Sequence, residues 1–497
     1  REIRGIRQDN VCLLSRSGFR ISIDRCVEKI YDIWSNYRTI ERTLGGLSIV
    51  VYSASGQSEA VIGDLSAEEI EIWEGEGIMA LNKKPVTGMR DILPEEMAIR
   101  DYVVGIIKET YGKYGFCSME TPCVESIANL TSKQGGDNEK LIFKILKRGE
   151  KLNVAEAQSE EEVVDGGLRY DLTVPLVRYY SNHAAQLPSP FKALQMGNVW
   201  RADRPQRGRY RQLMQCDIDI LGEPSNLAEI ELILATTTTL GRLGFKGFEI
   251  RINDRRILKA MAQYSGFPEE AYDSIFITLD KMDKIGLVGV EAELLGSGYD
   301  ESCVRRYLEL YRNLEEAENG VAYLAQALEG VLEQSVSEGL QEIIDNVGAT
   351  KTADFRMVFD ATLVRGMSYY TGTIFEVSIP GFEGSCGGGG RYDRMVGKFT
   401  GNDVPACGFS IGFERIILLL TERGFEVPCG KKIVYLVEKG VKGQALCDVM
   451  EKAQKAREQG AQALVVRMNK NKKFQKEQLT AEGYEEFVEI YREALKQ

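Results

Sequence analysis

The chain has almost no histidine: among 497 residues there is one, His183, in the polar stretch Ser181-Asn182-His183-Ala184-Ala185-Gln186. That excludes an H-E-x-x-H zinc site and any histidine relay not built on this residue, which reads as structural. Cysteine occurs ten times but never as C-x-x-C, so neither a zinc ribbon nor a disulfide framework is indicated, and a reduced, cytoplasmic setting is the natural reading. No apolar run is long enough to span a bilayer, and the first residues are too charged for a secretory signal. Net positive charge is also missing, with 62 Lys+Arg against 74 Asp+Glu giving −12. The surface as a whole therefore does not attract nucleic acid, and an RNA partner needs a local basic patch. From Lys431 to Gln497 there are 14 basic and 10 acidic residues, a surplus of four that leaves −16 for the remainder. That tail is either the place of RNA contact or a solvated helix surface.

What is present is an ordinary globular composition, 43% hydrophobic and 27% charged, long enough for several domains. The densest signal lies between Val199 and Gly222, where Arg201, Arg204, Arg207, Arg209 and Arg211 are flanked by apolar runs that read as the two strands of a hairpin. Arginine cannot lose its charge, and its planar fork meets phosphate oxygens two at a time. A hairpin holding such forks over one spot suits a polyphosphate; a solvated basic loop is the plainer alternative. The sequel favours the first reading, because Gln215, Asp217 and Asp219 alternate with Cys216, Ile218 and Ile220 and so share one strand face.

This stretch resembles motif 2 of the histidyl-tRNA synthetases, a class II aminoacyl-tRNA synthetase family, and further blocks follow in that family's order. Arg169-Tyr170-Asp171-Leu172-Thr173-Val174-Pro175 precedes the hairpin. Leu363 to Gly372 and Gly387 to Asp393 resemble the two histidine-specific motifs, and Cys407 to Arg415 resembles motif 3. Thr121-Pro122, after an amphipathic helix that begins at Pro94-Glu95-Glu96 and ends near Gly115, resembles motif 1, the dimer interface of this class.

The resemblance implies an α+β fold: a class II antiparallel sheet flanked by helices, a helical insertion and a small α/β C-terminal domain. It implies a catalytic domain at 79–253 and 350–428, an insertion at 254–349 and an anticodon-binding-like domain at 429–497. It also implies that ATP, accompanied by Mg2+, activates L-histidine for transfer to tRNA(His) in a homodimer. Arg201 matches the motif 2 arginine on the α-phosphate and substrate carboxylate, and Arg415 and Arg209 match γ-phosphate contacts. Asp203 matches an acidic position near the ATP, and Arg365 an arginine that stabilises the α-phosphate transition state. Asp171, Thr173 and Gln215 match residues that bind the α-amino group. Asp219 and Tyr370 match the pair that brackets the imidazole, with Tyr369 beside them and Tyr392 supporting the pocket. No metal ligands can be named. Two positions depart from the family: Leu213 stands where phenylalanine packs on adenine, and Ser368 where aspartate is common. The competing function is a synthetase paralogue turned regulator, such as the regulatory subunit of ATP phosphoribosyltransferase; such relatives tend to lose the ATP arginines, which stand here.

Two ends of the chain read less clearly. Residues 1–78 match nothing recognisable, with strand character at Leu47–Tyr52 and helical character from Arg25 to Tyr37. Trp73-Glu74-Gly75-Glu76-Gly77 has purine-rich codons just before Met79, so 1–78 reads as translated leader or as an appendage not needed for chemistry. In the tail, strand-like Ile433–Val437 is followed by a helix with Leu446, Val449, Met450 and Ala453 on one face, capped near Gly460, then by a strand at Ala463–Val466. After Met468 the match degrades, and the domain reads as shorter than the family's.

Overall fold

The computed structural model describes residues 83–131, 140–364, 369–428 and 430–492, together with the backbone of five short strands between Leu13 and Gly63. Two compact units divide the chain, 1–83 and 84–497. In the first, Glu41–Leu44, Leu47–Ala54 and Gln57–Gly63 form an antiparallel three-stranded sheet. The helical character expected from Arg25 to Tyr37 lies outside the described residues.

The second unit is organised by an eight-stranded sheet. Its strands in chain order are β1 (Cys117–Met119), β2 (Phe191–Trp200), β3 (Gln212–Leu221), β4 (Phe248–Asp254), β5 (Phe355–Phe359), β6 (Thr373–Ser378), β7 (Gly387–Arg391) and β8 (Ala406–Ile411). Across the sheet they run β5-β4-β6-β7-β8-β3-β2-β1. The six inner strands are antiparallel, and β1 and β5 add to the two edges in parallel. The expected antiparallel sheet is thus present, with a parallel strand at each rim.

Helix α1 (Pro94–Lys113) has proline in its first turn, where the missing N–H costs nothing, with Glu95 and Glu96 beside it. It buries Ile99, Val103, Ile107 and Tyr111, a 3.6-residue stripe packed beneath the sheet with helix α3 (Leu227–Arg242). Helix α2 (Thr173–His183) lies in a second apolar cluster, and the only histidine ends it, its ring 4.7 Å from that of Tyr179.

Residues 255–350 are helical, in six segments from Arg255–Ser265 to Gln334–Thr350. The run LEEAENGVAYLAQALEGVLEQ does not form one helix. Helix Glu301–Glu316 stops, and Asn319 starts a new one, Gly320–Ala327, by accepting from the Ala322 N–H. Tyr307, Leu340 and Ile343 of these helices share one continuous core with Phe248 and Ile250 of β4, so the segment packs as a layer on the sheet.

The tail closes into a parallel three-stranded sheet, Gln462–Arg467, Lys432–Val437 and Glu486–Ile490 in that order. Period-two alternation serves both faces of the central strand. Ile433, Tyr435 and Val437 meet helix Gln444–Glu458, and Val434 and Leu436 meet helix Lys472–Ala481. Met450 is 45% exposed, unlike Val449 and Ala453. The stretch after Met468, where the resemblance fades, supplies the second helix and third strand; Asn471 starts that helix by capping the Phe474 N–H.

Candidate active site

Strand β3 sets the floor. It is hydrogen-bonded on both sides, to β2 and β8, with Asp217 opposite Ser410 and Asp219 opposite Gly408. Gln215, Asp217 and Asp219 project into one cleft of about 740 Å³. Small residues on the neighbouring strands make this possible. A Cβ on Gly408 would lie 2.0 Å from Asp219 Oδ1, and one on Gly389 would lie 1.9 Å from the Gly408 carbonyl. The run Gly387 to Gly390 lies in strand β7, and glycine there lets two strands and a carboxylate crowd together.

Every expected site residue within the described part of the chain lines this cleft. Asp171 and Thr173 enter from the start of α2, and Arg201, Asp203 and Arg209 from the hairpin. Gln215 and Asp219 lie on the floor, and Tyr369, Tyr370 and Tyr392 on the wall. Arg415 reaches in from the first turn of helix Phe413–Glu422. Arg365 and Ser368 lie outside the described residues. Leu213 also lines the cleft. The arginine loop is split in its use. Arg201 and Arg209 face the cleft, Arg204 is exposed, Arg207 pairs with Glu422, and Arg211 donates to the Asp203 carbonyl at 3.2 Å.

Three buried carboxylates, those of Asp171, Asp217 and Asp219, line the same cleft. The Val174 N–H donates to Asp171 Oδ1 at 3.0 Å, but Oδ2 is buried with no hydrogen-bond partner. The Tyr392 hydroxyl donates to Asp219 Oδ1 at 2.5 Å, and Asp219 Oδ2 is likewise unpartnered. Burial pushes both carboxyls above their ordinary range, Asp219 well above it, with the Asp217 charge adding to the rise at Asp219. Asp217 is pushed up to about 7, chiefly by burial, against hydrogen bonds from Ser410 and Gln215 and the charge of Arg201. An orphaned buried acceptor costs about 1–3 kcal/mol, a cost that a donor brought by a ligand would offset.

The surrounding shell is tied together by hydrogen bonds and ion pairs. Arg201 Nε donates to the Tyr170 carbonyl at 2.8 Å, and a second guanidinium nitrogen donates to Gln215 Oε1 at 3.3 Å. Glu414, beside Arg415, accepts two bonds of 2.8 Å from Arg100 of α1 and one of 3.1 Å from the Met214 N–H. Burial opposes ionisation of Glu414, but Arg100 outweighs it and holds the carboxyl below its ordinary range. Under the wall, Arg391 makes a buried bidentate pair with Glu229, both bonds 2.7 Å. Among the described residues no three His, Cys, Asp or Glu side chains cluster as a metal site. Sequence reasoning left Asp217 and Ser410 without roles, although the spacing of 215, 217 and 219 pointed at the first. Asp280 and Lys284 of the helical segment also line the cleft, and nothing in their local sequence marked them.

A mixed sheet with an antiparallel centre, carrying guanidinium groups at one part of a cleft and buried carboxylates at another, defines the catalytic unit of a class II aminoacyl-tRNA synthetase. Comparison with known proteins narrows this. Residues 88–416 match the family model described as histidyl-tRNA synthetase. A histidine–tRNA ligase from Leifsonia xyli is 48% identical over 350 residues, spanning 69% of this chain and 81% of that protein. The crystal structure of histidyl-tRNA synthetase from a Nostoc species superposes with a TM-score of 0.67 at 27% identity, covering 81% of this chain and 90% of that one. A Bacillus halodurans structure, titled as an ATP phosphoribosyltransferase regulatory subunit/histidyl-tRNA synthetase, shares the fold at 19% identity and a TM-score of 0.64, covering 83% of this chain and 98% of that one. The chain belongs to the histidyl-tRNA synthetase family.

Proposed function

We propose that this protein is a histidine–tRNA ligase: it activates L-histidine with ATP to histidyl-adenylate and transfers the histidyl group to tRNA(His), releasing AMP. The observation that carries the substrate is the pair of orphaned oxygens, Asp171 Oδ2 and Asp219 Oδ2, in one cleft. Histidine offers two kinds of N–H donor, an α-ammonium and an imidazole N–H, and so can satisfy both oxygens at once. In this reading Asp171, Thr173 and Gln215 hold the ammonium. Asp219 and Tyr370 bracket the imidazole, Tyr369 closes the pocket, and Tyr392 holds Asp219.

Activation requires the histidine carboxylate to attack the α-phosphorus as the bond to pyrophosphate breaks. Charge gathers on the phosphate oxygens, and fixed guanidinium groups stabilise it without reorganisation. We assign Arg201 to the α-phosphate and substrate carboxylate, and Arg209 and Arg415 to the terminal phosphates, with Asp203 paired to Arg209 at 3.4 Å. Arg365 keeps the transition-state role implied by its motif. Mg2+ is expected with the nucleotide; no metal-holding cluster of side chains is present among the described residues, so phosphate oxygens and water would supply its ligands. A homodimer, a cytoplasmic location and tRNA contact through the tail complete the proposal. No helix among the described residues is long and apolar enough to cross a membrane.

The test is charging of a tRNA(His) transcript with labelled histidine in the presence of ATP. Acid-stable histidyl-tRNA is the expected product; histidine binding without any charging would favour the regulatory reading.

A further inference from the structure

We propose that Asp217 is a positioning residue that sets which end of the Gln215 amide faces the ligand, and thereby selects for a substrate bearing an α-ammonium group. The proposal rests on the histidine-binding reading of the cleft. Asp217 differs from the two carboxylates that flank it in space. Asp171 and Asp219 each keep one oxygen without a partner, whereas both oxygens of Asp217 accept from Gln215 Nε2, at 3.2 and 3.4 Å. Gln215 Nε2 also donates to Ser410 Oγ at 3.3 Å. At the other end of the same amide, Arg201 donates to Oε1 at 3.3 Å.

With Asp217 ionised, these contacts favour one orientation of the amide. Turned over, the amide would set its oxygen against the Asp217 carboxylate, acceptor against acceptor, and its NH2 against the Arg201 guanidinium, donor against donor. Asp217 and Arg201 thus hold the amide from opposite ends, and the acceptor Oε1 is presented on the side where a cationic N–H already sits. An incoming α-ammonium has the same chemistry as the group now occupying that oxygen. Asp217 therefore need not touch the substrate. Both of its oxygens accept from Gln215, while Asp171 Oδ2 has no partner.

The test measures dissociation constants by calorimetry for full-length wild type, Asp217→Ala and Asp217→Asn. The ligands are L-histidine and 3-(imidazol-4-yl)propanoate, which lacks the amino group. Asparagine retains an acceptor oxygen for Gln215 Nε2 and serves as the conservative variant. Asp217→Ala is expected to weaken histidine about tenfold or more, the loss of a hydrogen bond to a charged group. It should leave the propanoate within about twofold, and Asp217→Asn should restore most of the histidine affinity. Histidine bound by Asp217→Ala as by wild type, or both ligands weakened alike, would overturn the proposal. If the alanine variant does not fold, Asp217→Val, which also lacks an acceptor and suits a strand, is read in its place with the same criteria. Failure of wild type to bind histidine would instead remove the underlying reading of the cleft, which separates the two outcomes.

Discussion

The hydroxyl of Tyr392 donates to Asp219 Oδ1 at 2.5 Å, joining strand β3 to the end of β7 across 173 positions of sequence. Both side chains are buried, and the other Asp219 oxygen is buried without a hydrogen-bond partner. The tyrosine thus fixes the direction of the carboxylate and engages one of its oxygens, leaving the second without a partner.

Tyr392→Phe removes that donor and leaves both oxygens of Asp219 unsatisfied. Urea unfolding of the ligand-free protein should show a loss of about 1–3 kcal/mol. The KM for histidine should rise about tenfold while the KM for ATP changes less than twofold, since the hydrogen bond bears on the amino acid alone.

Gly408→Ala places a methyl 2.0 Å from Asp219 Oδ1 and 3.3 Å from the Tyr392 ring. The backbone at Gly408 is ordinary strand, so the effect is one of space. Overpacking of this kind costs about 1–3 kcal/mol, and it falls on the carboxylate. Histidine-dependent pyrophosphate exchange should drop by more than tenfold, with melting temperature lowered by only a few degrees.

The buried carboxylates make ligand-free stability depend on pH in a stated direction. Asp217 is raised from the ordinary 3.8 to about 7, so between these values the folded protein binds more protons than the unfolded chain. Its contribution is fully present below pH 4 and is lost as pH rises through 7. Asp171 and Asp219 act in the same sense. Melting temperature in the absence of histidine should therefore fall from pH 5.5 to pH 8 through this group, and Asp217→Asn should flatten that fall. A steeper fall in the variant would contradict the assignment.

The tail has its own apolar clusters on the two faces of its sheet, separate from the main core. Truncation before Lys431 should leave histidine-dependent pyrophosphate exchange within a few-fold of wild type and lower tRNA charging by at least tenfold. Equal loss of both activities would make the tail a structural support for the catalytic unit.

Much of the site was legible because its residues lie in contiguous motifs. The alternation of Gln215, Asp217 and Asp219 indicates a strand with one polar face, and the sheet puts that face on the floor of the cleft. The arginine loop read less well. Five guanidinium groups within a short segment look equivalent in sequence, yet the turn at Gln206–Arg209 sends Arg207 outward to Glu422. Which arginine turns inward depends on the hairpin tip, not on composition. The roles of Glu229 and Glu414 were illegible for a different reason: their partners Arg391 and Arg100 lie 162 and 314 residues away. In the tail, the helix after Asn471 was obscured because similarity to the family fades after Met468, whereas its cap depends only on the local Asn471 side chain.

The most direct measurement is ATP–pyrophosphate exchange by the purified protein with each of the standard amino acids in turn. Exchange with histidine alone, lost in Asp219→Ala, is the result this account predicts. Exchange driven by another amino acid, or histidine-dependent exchange undiminished in Asp219→Ala, would contradict it.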